Sequence, residues 1–376
     1  MKRPLHILTV VGARPQIIKA SAISRAIRTN YHSELKETIL HTGQHYDPEM
    51  SEVFFREMEI PLPDINCGVG SGSHASQTAR MLEAIGTQME SVNPDVVLLY
   101  GDTNSTLAGS LAASKLSVPI VHVEAGLRSF NRNMPEEVNR VLTDHCSSLL
   151  CCPTQTALNN LLNEGFSDQV EKAHADQPLA IITGDVMYDN ALHFRHAPVP
   201  EGIRHLLERI GEFALVTVHR PSNTHSKAAL DGVLKGLKAV HEATGLDILW
   251  PVHPRISGQI GLIRKILPAK GIHLTDPLSY LSMQACLNRS SIVLTDSGGL
   301  QKEAYFASKP GVILRDESEW VEIVDQGCAR LAGNDPERIL RHSLELIQSP
   351  PTEYPEIFGD GNAAGHICRL IIDHFA

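Results

Sequence analysis

Short apolar runs that end in a glycine-rich or polar turn and pass straight into a helical pattern recur from one end of this chain to the other. They cover Leu5–Val11, 37–42, 94–100, Ile120–Val123, 149–153 and 179–184, and then 213–218, 248–252, 272–274, Ile292–Thr295 and 311–314. Runs that are apolar throughout, rather than alternating, are strands buried on both faces. Strands spaced by helices build parallel sheets. The alternation starts afresh after 179–184, so the sequence predicts an α/β chain of two units with a boundary near residues 184–200. With 376 residues, 42% of them hydrophobic, the chain is long enough to give each unit its own core.

In an open parallel sheet the residues just past the carboxyl ends of the strands line the ligand crevice, so those turns are where chemistry is expected. The run Ile292–Thr295 leads into Asp296-Ser297-Gly298-Gly299 and a helix. Two glycines let a ligand approach the backbone, Ser297 can cap the helix, and free N–H groups in its first turn favour a phosphate. Glu303, about one and a half turns on, is placed to reach a sugar hydroxyl beside that phosphate. Ordinary strand–helix turns also use Ser-Gly-Gly, so this turn alone does not decide the matter. Leu5–Val11 runs into Gly12-Ala13-Arg14-Pro15-Gln16, with Lys19 one turn into the helix. Arg14 and Lys19 would flank a helix start and suit a diphosphate, or simply face solvent.

Asp102 follows the run 94–100 and Glu124 follows Ile120–Val123, which directs both carboxylates into one crevice. Glu136 and Glu137 sit behind Pro135 at a helix start, where capping alone would account for them. His219 and His253 end the first two strands of the second unit. His41 and His45 have no third ligand at a metal spacing, so no metal site is expected. The segment 68–73 is glycine-rich but follows no strand and is expected as a loop before a helix over 77–92. A further helix is expected over 50–58.

The formal net charge of -10 argues against nucleic-acid binding while leaving room for a local basic pocket. The 7 cysteines show no C-x-x-C spacing and read as reduced thiols. The apolar run near Met1 is too short for a membrane span and lacks a signal-peptide cleavage site. The chain is therefore expected to be soluble and cytoplasmic, with no membrane partner.

Taken in order, Gly12-Ala13-Arg14-Pro15-Gln16-x-x-Lys19, Gly101-Asp102-Thr103, His122-Val123-Glu124-Ala125-Gly126-Leu127-Arg128, Pro135-Glu136-Glu137-x-Asn139-Arg140, His219-Arg220, Pro251-Val252-His253-Pro254 and Asp296-Ser297-Gly298-Gly299-x-Gln301-x-Glu303 form a specific set. Together they closely resemble the non-hydrolysing UDP-N-acetylglucosamine 2-epimerases, from Leu5 to the Gly359-Asp360-Gly361 turn. The resemblance implies two Rossmann-like domains facing a cleft in the glycosyltransferase-B arrangement. These would be residues 1–186 and a UDP-binding domain, 187–358, with a C-terminal helix in 359–376 crossing back to the first.

The resemblance further implies interconversion of UDP-GlcNAc and UDP-ManNAc by anti elimination of UDP to a 2-acetamidoglucal and re-addition, with no nicotinamide or metal cofactor, in a homodimer. Carried over by motif, Asp102, Glu124, Glu136 and His219 are catalytic. Arg14, Lys19, His253, Met283, Ser297, Gly298, Gly299, Glu303 and Arg315 bind the UDP-sugar.

This sequence departs from the family pattern in three places. Trp320 stands where many members have an arginine, and Met283 where an aromatic often lies against the uracil. Asp47 and Ser76 stand where substrate-activated members have a glutamine and an arginine, so activation by a second substrate molecule is not expected. The segments 70–74 and 319–322 look more like the branch that includes epimerases of UDP-2,3-diacetamido-2,3-dideoxyglucuronate, the alternative substrate. A UDP-sugar transferase on the same fold is the more distant alternative.

Overall fold

A computed structural model describes residues 3–43, 54–268 and 270–376. His45, Asp47 and the first part of the helix expected over 50–58 lie outside the described residues, and 54–57 are helical. The chain divides into two compact units, Met1–Leu192 with Glu356–Ala376, and His193–Pro355.

The first unit is a seven-stranded sheet ordered β3-β2-β1-β4-β5-β6-β7. Its strands are β1 (Leu5–Val11), β2 (Leu35–His41), β3 (Ile65–Asn66), β4 (Val96–Tyr100), β5 (Ile120–Val123), β6 (Leu149–Cys152) and β7 (Leu179–Ile182). All pairings are parallel, and β1 lies between β2 and β4. β4 and β5 are buried along their whole length, as expected of central strands covered by helices on both faces. Strand order reverses between β1 and β4, and that switch point opens a crevice beyond their carboxyl ends.

The second unit repeats the plan with β8 (Phe213–Thr217), β9 (Asp247–Pro251), β10 (Ile272–Thr275), β11 (Ile292–Thr295), β12 (Gly311–Ile313) and β13 (Ala329–Leu331) in the order β10-β9-β8-β11-β12-β13. Its switch point lies between β8 and β11, where the Thr217 and Thr295 hydroxyls meet at 2.6 Å. One core packs Val216, Trp250 and Leu294 against Leu234 and Ile339. The opposite face packs Leu215, Leu249 and Val293 against Leu207 and Leu287.

Two structural ties hold the helix Val186–His193 and the C-terminal helix against the first unit. Asn190, on the helix Val186–His193, hydrogen-bonds the Ile18 carbonyl, Ser21 and Arg25. Asp189 accepts the first-turn N–H groups of the helix Ala363–Phe375, Ala363 at 3.0 Å and Ala364 at 2.8 Å. A carboxylate there also meets the positive end of the helix dipole. Among the described residues no helix is long and apolar enough to cross a membrane.

Glu37 on β2 is held between the hydroxyls of Thr9 and Ser24, each donating at 2.6 Å. Burial pushes its carboxyl above the usual range, more than those hydroxyls hold it down. A carboxyl raised on folding costs stability once pH passes from its unfolded to its folded value. Glu37→Gln keeps one acceptor and adds a donor that either hydroxyl can accept. We expect it to raise the melting temperature at neutral pH by about 2–4 °C, corresponding to ~1 kcal/mol, with the gain shrinking as pH falls into the ordinary carboxylate range. A lower melting temperature at neutral pH would contradict this.

Candidate functional site

In the first unit the turns after β1, β4 and β5 are built against one another. Gly12 must be glycine, because a Cβ there would lie 2.1 Å from Ser105 Oγ and 2.2 Å from Thr42 Oγ1. Gln16 is 1% exposed and acts as the staple. Its Oε1 accepts the N–H groups of Gly12 (2.9 Å) and Ala13 (3.1 Å), and its Nε2 donates to the Tyr100 carbonyl and Thr106 Oγ1. This locks the helix Arg14–Ala26 to the turn that carries Asp102. Arg14 stands exposed at the start of that helix with its guanidinium 4.9 Å from the Phe54 ring centre.

Glu124 occupies the left-handed region at φ 70, where non-glycine residues are uncommon and held by their surroundings. Its N–H and that of Ala125 both donate to the Cys151 carbonyl at 3.1 Å. The carboxylate forms a close ion pair with Lys19, their side chains 10% and 12% exposed. Lys19 therefore meets a carboxylate of the site itself. Gly101, at φ 62, backs this pair: a Cβ there would sit 3.0 Å from Lys19 Nζ and 3.4 Å from Glu124 Oε2. Gly101→Ala thus adds backbone strain and crowding. We expect it to destabilise the protein by about 1–2 kcal/mol, read as a lower urea midpoint at unchanged slope; an unchanged midpoint would contradict that geometry.

Asp102 pairs with Arg140, which also holds Glu137 at 2.6 Å. The structure separates the two neighbouring glutamates by task. Glu137 is 2% exposed and fixes the preceding loop by accepting from the Ser129 N–H and hydroxyl and the Phe130 N–H. Glu136 is exposed, one turn before Arg140 on the helix Pro135–Cys146 and so on the same face. A second chain of bonds runs from Asn139 to the Asp102 carbonyl and Asn104, and from Asn104 to Gln77.

In the second unit Asp296, fully buried at the end of β11, organises the turn after β8. It accepts the N–H of His219 at 3.0 Å and of Arg220 at 2.9 Å, the Asn223 amide at 3.1 Å, and His219 Nδ1 at 3.1 Å. Burial pushes this carboxyl up, but His219, the Arg220 N–H and Asn223 outweigh it and hold the carboxyl below its usual range. The contact fixes the His219 ring through Nδ1. The His253 ring, on an exposed residue, lies 5.4 Å away at 31°.

Ser297 caps the helix Gly298–Phe306 by accepting the Leu300 N–H at 3.4 Å. The N–H groups of Gly298 and Gly299, in that first turn, have no carbonyl four residues back within the helix. Space beside Gly298 is ringed: a Cβ there would lie 3.6 Å from Glu319 Oε2, 3.8 Å from Arg220 Nη2 and 3.8 Å from Trp320 Nε1. Arg315 grips Glu319 through both terminal nitrogens, at 2.7 and 3.0 Å, and Arg220 adds a third contact at 3.4 Å. Burial raises the Glu319 carboxyl, yet the Arg315 bonds and the charges of both arginines pull it down to about 2. Arg315 thus commits two of its N–H donors to Glu319. Trp320 is 3% exposed with Lys302 Nζ 4.2 Å from its ring centre. Glu303 is buried on the second turn of the same helix, and Met283, on the helix Tyr280–Arg289, packs partly into the core.

Gln16, Arg140 and Asp296 were visible only as motif positions. Their hydrogen-bond partners, not their spacing, reveal what they do.

The family model described as UDP-N-acetylglucosamine 2-epimerase matches residues 27–372. The UDP-2,3-diacetamido-2,3-dideoxy-D-glucuronate 2-epimerase of Pseudomonas aeruginosa is 43% identical over 98% of this chain and 99% of its own. The UDP-N-acetylglucosamine 2-epimerase of Methanococcus maripaludis is 39% identical over 96% of this chain and 97% of its own. Among solved structures, Methanocaldococcus jannaschii UDP-GlcNAc 2-epimerase in complex with UDP-GlcNAc and UDP superposes with a TM-score of 0.86 at 36% identity, over 98% of this chain and 99% of that one.

Proposed function

Since the chain belongs to the UDP-N-acetylglucosamine 2-epimerase family, we propose that it interconverts UDP-GlcNAc and UDP-ManNAc. The observation that carries this reading is the cluster at the switch point of the first unit, where Glu124 pairs with Lys19 and Asp102 with Arg140. A proton at C2 of the sugar is not acidic. Breakage of the anomeric C–O bond therefore leads, building positive charge on the ring and negative charge on departing UDP. Loss of the C2 proton to a carboxylate then gives the 2-acetamidoglucal. Re-protonation of C2 on the opposite face and return of the UDP oxygen to C1 give the epimer, with every atom restored.

Two faces of one carbon call for more than one acid/base group, which Asp102, Glu124 and Glu136 supply. His219, fixed by Asp296, and the N–H groups of Gly298 and Gly299 stabilise the departing diphosphate. Arg14 serves the same charge, and Glu303 holds the ribose. No nicotinamide or metal takes part in these steps. We place the enzyme in the cytoplasm as a homodimer.

The alternative sugar, the 2,3-diacetamido uronate, is favoured by the Pseudomonas relative and by Trp320 beside Gly298. Both substrates demand the same bond cleavage. UDP-GlcNAc carrying oxygen-18 in the anomeric bridge is therefore expected to scramble label into the non-bridging β-phosphate positions. Formation of the manno isomer with the label still wholly in the bridge would overturn elimination.

A further inference from the structure

His122, on β5, is fully buried and hydrogen-bonded through both ring nitrogens. Nε2 lies 2.8 Å from the Gly101 carbonyl, which can only accept, so Nε2 carries a proton. Nδ1 lies 2.6 Å from Oδ1 of Asp144, also fully buried. The other oxygen of Asp144 accepts from Arg128 Nη1 at 2.7 Å and the Gly126 N–H at 3.2 Å. Burial pushes the Asp144 carboxyl up, but His122 and Arg128 pull it below its usual range. The ring thus bridges the Gly101 carbonyl and the Asp144 carboxylate.

We propose that His122, buried and bonded at both ring nitrogens, serves as a positioning residue, binding the turn that carries Asp102 to the loop that carries Glu124. Its Nε2 bond fixes Gly101, the left-handed residue immediately before Asp102. Its Nδ1 bond reaches Asp144, which holds Gly126 just beyond the left-handed Glu124. The ring thereby sets the separation of two carboxylates that it does not touch. Arg128 and Asp144 are the charged groups nearest it on one side; beyond Gly101 stand the pairs Lys19–Glu124 and Asp102–Arg140. The service to catalysis rests on the epimerase reading, whereas the tie between the two turns does not.

The test compares the full chain with its His122→Gln variant. His122→Gln is expected to lower kcat for C2 proton exchange about 100-fold, with UDP affinity within threefold. Unchanged kcat, or joint loss of UDP binding and turnover, would overturn the positioning role. A parent protein that binds UDP but exchanges no C2 proton would refute the epimerase reading on which that role rests.

Discussion

Replacing Glu124 with glutamine is expected to lower kcat by about 10²–10⁴-fold, the usual worth of a positioned acid/base group, while UDP affinity changes by less than about threefold, or under ~1 kcal/mol. Glutamine keeps the shape of the side chain and can occupy the same left-handed backbone. What it removes is the basicity needed at C2 and the attraction that draws Lys19 to the carboxylate. The groups proposed to hold the diphosphate at the Ser297–Gly299 turn belong to the other compact unit and are untouched. Turnover and calorimetric titration with UDP, run on one preparation, separate the two effects. Joint collapse of both would mean that Glu124 belongs to the nucleotide site.

The second large effect concerns Asp296→Asn. The carboxylate collects the N–H groups of His219 and Arg220, the Asn223 amide and His219 Nδ1, with no exposure to water. An amide in its place turns one acceptor into a donor that faces other donors. Leaving such buried groups unpaired is expected to cost ~3 kcal/mol, or roughly 6–12 °C in the unfolding of the His193–Pro355 unit.

Because folding lowers the Asp296 carboxyl, its stabilising contribution is present above the unfolded value and is lost as pH falls through the folded one. The gap between variant and parent should therefore be full at neutral pH and close only below the ordinary carboxylate range. His219 would also lose its fixed tautomer, so kcat should fall with stability. A variant as stable as the parent at neutral pH would show that the Asp296 bonds are not made in solution.

Most of the scaffold was legible from apolar runs, because parallel strands buried on both faces carry an unbroken signal. The runs Ile120–Val123 and Ile292–Thr295 became β5 and β11 without adjustment. Ile65–Asn66 and Ala329–Leu331, edge strands of two and three residues, are too short to show any period and were not anticipated. The helix expected over 77–92 begins at His74, because Ser73 Oγ accepts the Ser76 N–H. That cap lay within the glycine-rich segment read as loop. His41, considered as a ligand, instead uses Nδ1 to accept the Gly43 N–H in the turn after β2.

The site was legible as positions but not as partnerships. Spacing placed Asp102 and Glu124 at strand ends, yet nothing local says that Arg140 will meet the one and Lys19 the other, 38 and 105 residues away in the chain. Adjacent Glu136 and Glu137 are alike in sequence. Only the packed helix shows that Glu137 is consumed by Ser129, Phe130 and Arg140 while Glu136 faces out. Arg315 had the marks of a ligand contact, and its bidentate grip on Glu319, only four residues on, follows from the turn before Trp320, which spacing alone does not show.

Proton NMR of the purified protein with UDP-GlcNAc in deuterated water, run beside UDP-2,3-diacetamido-2,3-dideoxyglucuronate, reads the reaction at the atom where it occurs. We expect deuterium to enter C2 of UDP-GlcNAc as the manno isomer appears. The same signals from the diacetamido uronate alone would transfer the assignment to that sugar, with Trp320 the first residue to exchange. Exchange at C2 of neither sugar would contradict epimerisation by this chain.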